Sequence, residues 1–129
     1  MPNVEPSIAD LRCLVLDDEF LIALDIQQIL ESAGVASVIC VGNCDEALAK
    51  LGPAAKIDFA VLDIKLSGPT RDSVTVAAEL VRQNTPLMFM TGMRRKDERM
   101  KEFPEAPVVE KPYEAPLLLD AVLRALERR

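Results

Sequence analysis

Three consecutive acidic residues, Asp17, Asp18 and Glu19, directly follow the apolar run LRCLVL at residues 11–16. Two carboxylates about 4 Å apart repel each other by roughly 4 kcal/mol at an effective dielectric constant near 20. Acids at the end of a buried strand therefore need a cation nearby. Oxygen ligands without His or Cys favour a hard divalent cation such as Mg²⁺.

Other polar residues follow other apolar runs of the chain. Asp63 comes after FAVL, Thr91 and Gly92 come after PLMFM, and Lys111 comes after PVVE. In open parallel α/β sheets, ligands bind beyond the carboxyl ends of the strands, so these residues and the first acids are expected to share one rim. A divalent cation together with Lys111 would offset the repulsion between the acids.

This combination of groups also suits an incoming phosphoryl group. Phosphoryl transfer depends mainly on positioning and on neutralising charge at the phosphoryl oxygens. A carboxylate can serve as the nucleophile and form an acyl phosphate. Asp63 is the expected nucleophile because it stands alone at the centre of the rim.

The elements that must position these residues alternate along the chain. Short apolar runs separated by longer stretches of helical periodicity predict an α/β fold with a parallel sheet covered by helices on both faces. Gly34 is a suitable left-handed terminator for the first helix, and Asn43 a suitable cap for the second. The predicted strands are residues 11–16, 36–41, 57–62, 86–90 and 107–110, and the clearest helical stretches are 19–34, 44–52, 71–84 and 114–129.

The segment 92–106 fits this alternation less well. It should supply the fourth of five helices, but its apolar residues are few. Since helix stability comes mostly from burial of an apolar face, a short or mobile helix is predicted here.

Composition excludes several classes of function. The chain of 129 residues fits one domain, and its net charge of −6 argues against general affinity for nucleic acid or anionic membranes. No run approaches the roughly 20 apolar residues of a membrane span, and the N-terminus does not resemble a signal peptide. The absence of His excludes Ser-His-Asp catalysis and His-ligated metal sites.

The cysteines indicate the redox compartment. Cys13, Cys40 and Cys44 are odd in number and lack C-x-x-C spacing. They are interpreted as small core residues in a reducing compartment, which predicts a cytoplasmic protein.

The strand-end motifs LDDE, LDIKLSG, MTG and EKP, in this order, resemble the receiver domains of two-component response regulators. The resemblance spans residues 11–126. It implies a flavodoxin-like doubly wound (βα)5 fold with five parallel strands in the order 2-1-3-4-5. The chain is expected to be a single receiver domain over residues 1–129, with its core at about 11–126 and no output domain.

The resemblance also implies a metal site and a phosphoacceptor. Asp63 would accept the phosphoryl group. Asp18 and Asp63 would bind Mg²⁺, or Mn²⁺ in its place, through their carboxylates, and the backbone carbonyl of Lys65 would be a third ligand. Asp17 would act through water, whereas Glu19 is expected to begin the first helix, where an acid interacts favourably with the dipole.

The remaining site residues would contact the phosphoryl group itself. Thr91 would hydrogen-bond a phosphoryl oxygen, and Lys111 would pair with its charge. Backbone groups of Lys65 and Gly92 would add further contacts. The family usually has a cis peptide after this Lys, so Lys111–Pro112 is expected to be cis.

The implied partners are a sensor histidine kinase or a histidine phosphotransfer protein that donates phosphate. Output would come from contact with a protein, which the sequence does not identify, or from draining phosphate from a shared kinase. Neither nucleic acid nor a membrane is expected as a partner, and the chain is expected to be a monomer or a weak homodimer. It would not be an enzyme in the usual sense, since it would phosphorylate itself stoichiometrically and lose the phosphate slowly.

The sequence departs from the usual receiver at one switching position. Val108 stands three residues before the Lys, where receivers usually have Tyr or Phe, so the usual Thr–Tyr switch is not available. The stretch PLMFMTGM resembles instead the P-F-x-F-A-T-G-Y/G signature of the FATGUY subgroup, with Leu87, Met90 and Met93 as differences.

Two alternatives stay open. A degenerate receiver would keep the fold and bind partners without being phosphorylated. A Mg²⁺-dependent phosphohydrolase on a related sheet would turn over a small phosphate ester. The haloacid-dehalogenase family needs a second Asp two residues after its nucleophile, and Lys65 occupies that position here.

Overall fold

The computed structural model describes residues 8–52, 55–64, 71–92 and 101–127, with the backbone alone at 71 and 72. Within these ranges strands alternate with helices, as the hydrophobic pattern predicts, except that the last two strands follow one another, with residues 93–100 between them outside the described part of the chain. The elements are β1 (Arg12–Leu16), α1 (Phe20–Ser32), β2 (Ser37–Val41), α2 (Cys44–Ala49), β3 (Phe59–Ile64), α3 (Arg71–Arg82), β4 (Leu87–Thr91), β5 (Val108–Glu110) and α4 (Ala115–Glu127).

All strands of the sheet are parallel and lie in the order β2-β1-β3-β4-β5. This confirms the predicted flavodoxin-like topology. The order reverses at β1 and β3, and a crevice at such a reversal is where ligands bind in sheets of this kind. The carboxyl ends of β1 and β3 are therefore neighbours at the centre of the sheet.

Alternate residues of the central strands point to opposite faces and are buried on both. On one face, Cys13, Val15 and Val61 pack with residues of α1 and α4. On the other face, Leu14 and Leu62 pack with residues of α2 and α3. Burial on both faces explains why these strands are nearly continuous apolar runs rather than alternating ones.

Two predicted helix ends are confirmed. Gly34 follows α1 with φ of 110°, a left-handed conformation that glycine adopts without a steric cost, and its N–H donates to the Glu31 carbonyl at 3.1 Å. The Asn43 side-chain oxygen accepts a hydrogen bond from the Glu46 N–H at 2.8 Å, so Asn43 caps α2.

The strand boundaries differ slightly from the prediction. β3 was predicted over residues 57–62, but it runs over Phe59–Ile64, so Asp63 lies inside the strand rather than after it. The reason is the length of β4, whose last residue Thr91 pairs with Ile64. This pairing extends β3 past the point where its apolar run ends.

The prediction of a weak helix at residues 92–106 falls largely on residues 93–100, which lie outside the described residues. Residues 101 and 102 have 3₁₀ geometry. Farther along, the Phe103 ring packs edge-to-face on Phe89 with 5.7 Å between the ring centroids, so this aromatic pair joins the segment to β4. Val108, which replaces the usual switching aromatic, is 42% exposed on the edge strand β5.

The interpretation of the three cysteines as core residues is correct for two of them. Cys13 and Cys44 are buried, but Cys40 is exposed on β2. The physical reason is that β2 is an edge strand, whose outer residues are less covered by helices. Burial raises the pKa of the Cys13 thiol well above its ordinary value.

No helix among the residues described is both long enough and apolar enough to cross a membrane.

Candidate phosphoacceptor and metal site

The first two acids of the rim lie in different surroundings. Asp17 directly follows β1 and is buried, and its carboxylate accepts a hydrogen bond from the Glu19 N–H at 2.8 Å. Its own N–H donates to the Val41 carbonyl at 3.1 Å, so the chain stays attached to β2 beyond the end of β1. Asp18 is exposed. The two adjacent acids thus differ in burial: the Asp17 side chain is fixed inside the rim, and Asp18 lies at its exposed edge.

Asp63 joins these two acids across the sheet. One carboxylate oxygen from each of Asp17, Asp18 and Asp63 lies within 4.8 Å of the others. Their side chains offer hard oxygen ligands, which Mg²⁺ prefers. The three predicted acids are therefore brought together, and they fit a divalent cation.

Lys111 supplies the positive charge at this cluster. Its Nζ lies 2.8 Å from Asp63 Oδ1 and 3.1 Å from Asp17 Oδ2, and Glu19 Oε1 lies 3.7 Å away. Burial lowers the pKa of the Lys111 ammonium, but hydrogen bonds with Asp63 and Asp17 outweigh this effect, and the net pKa is raised. Lys111 therefore stays protonated and is shared by several acids.

The Lys111 ammonium alone does not fully compensate the negative charge around Asp63. Asp63 is only 6% exposed, and burial raises the pKa of its carboxyl. The hydrogen bond from Lys111 opposes this rise, while the nearby charges of Asp17 and Glu19 add to it. A further cation would stabilise the ionised form of such a buried carboxyl, because it would offset the repulsion from the neighbouring acids.

The other predicted site residues are placed as follows. Thr91 is the last residue of β4 and is 2% exposed, and its carbonyl accepts a hydrogen bond from the Lys111 N–H at 2.7 Å. Gly92 follows it, and among the described residues a Cβ added there would meet no heavy atom within 4 Å. The Lys111–Pro112 peptide is cis, as predicted. Lys65 lies outside the described residues.

Sequence reasoning missed three contacts around the site. Glu19 was assigned to the start of α1, and it is indeed the residue before the helix, but its carboxylate also approaches Lys111. The Ser73 hydroxyl donates to the Asp63 carbonyl, and the Tyr113 hydroxyl donates to Asp25. No spacing signal in the sequence points to these contacts, because each joins residues of separate elements.

The Tyr113–Asp25 contact ties the chain after Lys111 to α1. The Tyr113 hydroxyl lies 2.7 Å from Asp25 Oδ2, and its ring packs against the core that α1 and α4 share. Burial raises the pKa of the Tyr113 hydroxyl, and the hydrogen bond and charge of Asp25 raise it further. The hydrogen bond between Tyr113 and Asp25 therefore makes its full contribution to the unfolding free energy below about pH 10, the ordinary pKa of Tyr. This contribution is lost as the pH rises above that value.

Replacing this hydroxyl gives a testable result. The variant Tyr113→Phe is expected to lose about 1 kcal/mol of unfolding free energy at neutral pH, with the gap to wild type closing above about pH 10. Urea unfolding at a series of pH values measures the gap. Since Tyr113 is the single tyrosine and the chain lacks Trp, ultraviolet absorption titrates this group alone. A gap that stays constant across the alkaline range would contradict the assignment.

Comparison with solved structures finds close structural similarity. The solution structure of the BeF3-activated conformation of SdrG from Pseudomonas melonis Fr1 is 31% identical, with a TM-score of 0.73, and covers 92% of this chain and 98% of SdrG. The signal receiver domain of a modulated diguanylate cyclase from Desulfovibrio desulfuricans G20 is 30% identical, with a TM-score of 0.75 and coverage of 92% and 96%. A response regulator receiver protein from Sinorhizobium medicae WSM419 is 28% identical, with a TM-score of 0.74 and coverage of 92% and 95%.

A search of curated proteins finds no match. The family model of the response regulator receiver domain, however, matches residues 13–123, which include all the rim residues described above. Receiver domains are signalling domains of two-component systems rather than classical enzymes. They work with histidine kinases or phosphotransfer proteins and typically bind Mg²⁺ in an acidic pocket. The match covers most of the chain, and the chain therefore belongs to the response regulator receiver domain family.

Proposed function

We propose that this chain is the phosphoacceptor of a two-component phosphorelay and takes a phosphoryl group from a phosphohistidine onto Asp63. The observation that carries the proposal is the buried Asp63 carboxylate, which lies 2.8 Å from the Lys111 ammonium and within 4.8 Å of the carboxylates of Asp17 and Asp18. Similarity to SdrG, whose structure is described as BeF3-activated, supports this proposal.

In the proposed step a carboxylate oxygen of Asp63 forms a bond to phosphorus while the bond from phosphorus to the donor imidazole nitrogen breaks. The electron pair of the broken bond stays on the imidazole nitrogen, the imidazole takes up one proton from water to leave in its neutral form, and the product is an acyl phosphate on Asp63. Lys111 lies beside the attacking carboxylate and pairs with the charge on the transferred group. The Thr91 hydroxyl would donate to a phosphoryl oxygen.

The metal would be held by the carboxylates of Asp18 and Asp63, with Asp17 acting through water and the Lys65 carbonyl as a further ligand. When bound, Mg²⁺ supplies positive charge that neutralises the phosphoryl oxygens. Backbone groups of Gly92 and Lys65 would complete the phosphoryl contacts. The fit of the three carboxylates to a hard cation supports this assignment.

The wider functional context is also part of the proposal. The phosphodonor would be a sensor histidine kinase or a histidine phosphotransfer protein in the cytoplasm. The chain would act as a monomer or weak homodimer and signal by contact with another protein or as a phosphate sink. Membership of the FATGUY subgroup stays a prediction, and exposed Val108 agrees with a switch that does not use an inward-moving aromatic.

The experiment that tests the proposal is intact-mass analysis after incubation with acetyl phosphate and Mg²⁺. One phosphoryl group per chain is expected, and it should be absent when EDTA replaces Mg²⁺. Folded wild-type protein that gains no phosphoryl group from acetyl phosphate or from a phosphohistidine donor would overturn the proposal in favour of a degenerate receiver.

A steady-state phosphatase assay separates the proposal from the phosphohydrolase alternative. A receiver reacts once per chain and then loses phosphate slowly, whereas a phosphohydrolase turns over many equivalents of a small phosphate ester. We expect stoichiometric reaction, because Lys65 stands where the haloacid-dehalogenase family needs a second Asp.

The role of Thr91 can be tested separately. Thr91→Val removes the hydroxyl at a position that is 2% exposed, and hydrogen bonds to charged groups contribute about 1.5–3 kcal/mol. Phosphorylation by acetyl phosphate is therefore expected to slow by roughly tenfold or more, whereas Thr91→Ser should stay near the wild-type rate. Equal rates in the Val and Ser variants would remove Thr91 from the phosphoryl site.

A further inference from the structure

A buried serine of α3 contacts the backbone of Asp63, the proposed phosphoacceptor. Ser73 lies in the first turn of α3, and its side chain is buried. Its hydroxyl donates a hydrogen bond of 2.7 Å to the backbone carbonyl of Asp63. The contact spans ten residues of sequence and joins the start of α3 to the end of β3.

The position of this carbonyl in the sheet explains why it needs such a donor. Within β3, the Ala60 N–H donates to the Pro86 carbonyl just before β4, so alternation along the strand turns the backbone groups of Asp63 toward β1. The pairing of β1 with β3, however, ends at Leu16 and Leu62. The Asp63 carbonyl thus lies past the end of that ladder, and the Ser73 hydroxyl donates to it there.

We propose that Ser73 is a positioning residue for phosphoryl transfer, a role that rests on the proposed function of Asp63. The carbonyl held by Ser73 and the carboxylate that faces Lys111 belong to the same residue. Fixing the backbone of Asp63 therefore fixes the direction in which its carboxylate leaves the strand. Lys111 holds the side-chain end at 2.8 Å, and Ser73 holds the main-chain end.

The chemistry of serine in a helix supports this assignment. A Ser in the first turn ordinarily hydrogen-bonds backbone groups of its own helix or faces water. Ser73 instead donates across to another element, where a buried acceptor without a partner would carry a free-energy cost. Displacements of about 1 Å at a reacting group can cost roughly a hundredfold in rate, so even partial loss of this restraint is measurable.

The test compares Ser73→Ala, which removes the hydroxyl, with Ser73→Thr, which keeps it. Phosphorylation by acetyl phosphate at saturating Mg²⁺ is followed by intact mass, and stability is followed by urea unfolding. The Ala variant is expected to be phosphorylated roughly tenfold more slowly, and the Thr variant within about twofold of wild type. The matched control is Val122→Ala. Val122 is fully buried on α4 and away from the rim, so this substitution destabilises the fold without changing the site.

The control separates positioning from stability. If Val122→Ala slows phosphorylation as much as Ser73→Ala does, or if Ser73→Ala reacts at the wild-type rate, the proposal is overturned. Should Ser73→Ala not fold, Ser73→Cys replaces it, because its thiol is a weaker donor of similar size and is expected to give an intermediate rate. If wild type takes up no phosphoryl group, the proposed function itself is contradicted. If wild type and Ser73→Ala both take it up at the normal rate, only the positioning role of Ser73 is contradicted.

Discussion

Asp63→Asn is expected to abolish phosphoryl uptake and, at the same time, to stabilise the metal-free protein. The first effect follows because the amide is not a nucleophile for phosphorus and cannot form an acyl phosphate in this step. The second follows from the charges around the site. One ammonium, that of Lys111, is shared by the carboxylates of Asp17, Glu19 and Asp63. Removing one negative charge leaves Lys111 with Asp17 as a close partner.

The pH dependence of this stabilisation can be worked out from the pKa of Asp63. Burial raises that pKa above its ordinary value, and the charges of Asp17 and Glu19 add to the rise. A carboxyl with a raised pKa in the folded state contributes stability at low pH that is lost as the pH rises through the folded value. The unfolding free energy of wild type should therefore fall behind that of Asp63→Asn as the pH rises above about 4, the ordinary pKa of Asp.

Urea unfolding in EDTA at several pH values measures this gap, and intact mass measures phosphoryl uptake. Asp10→Asn is the matched control: Asp10 is exposed, and Asn also adopts its positive φ of 66°. The control should be phosphorylated normally and show no comparable gap. Mg²⁺ is expected to stabilise wild type more than Asp63→Asn, because the variant lacks one carboxylate ligand. Phosphoryl uptake by Asp63→Asn would show that another residue is the acceptor.

The sequence predicts the rim because its residues are fixed by local pattern. Asp17 and Asp18 directly follow a buried apolar run, and Lys111 follows another. In a parallel sheet, the end of each strand automatically meets the ends of its neighbours. Period and order along the chain therefore determine which side chains converge, even though the predicted strand boundaries are off by one or two residues. Asp63 shows how small that error is: the prediction places it just after β3, and the structure places it inside β3.

The contacts that hold the rim residues in place could not be predicted in this way. The Ser73 hydroxyl reaches Asp63 because α3 packs back on β3, and the Tyr113 hydroxyl reaches Asp25 because α1 and α4 share a core face. These contacts depend on distances between elements. The periodicity of a single element carries no information about such distances. The same reason explains the error at Cys40, whose exposure depends on how far the helices cover the edge strand.

Lys111→Met is expected to have the largest effect on stability. The Lys111 side chain is 14% exposed, and its Nζ contacts the carboxylates of Asp17 and Asp63, which are 4% and 6% exposed. Removing one partner of a buried ion pair costs about 3–5 kcal/mol, because the remaining charge is left without compensation. Here two buried carboxylates lose their shared cation. The metal-free variant should therefore be destabilised by about this amount at neutral pH.

The pH and metal dependence of Lys111→Met follow from the same charges. Without the ammonium, the pKa of Asp63 loses the contribution that opposes its rise, so stability should fall more steeply than in wild type as the pH increases above about 4. Mg²⁺ should restore part of the loss, since a bound dication compensates the same carboxylates. Urea unfolding with EDTA or Mg²⁺ measures both effects, and Lys50→Met, at an exposed position, is the matched control.

Phosphorylation of Lys111→Met by acetyl phosphate should fall by roughly a hundredfold even at saturating Mg²⁺, because a preorganised charge at the transferring group contributes about 2.7–4 kcal/mol. Lys111→Arg keeps the charge but not the compact ammonium, so its phosphorylation rate should lie between those of wild type and Lys111→Met.

The double variant Lys111→Met/Asp63→Asn separates the charge effect on stability from the effect of packing. If the destabilisation comes from uncompensated carboxylates, the second substitution should recover much of it, giving a large coupling between the two sites. If the effects of the two single substitutions on the unfolding free energy simply add, the methylene chain of Lys111 stabilises the fold by packing, and the charge argument for the site is wrong.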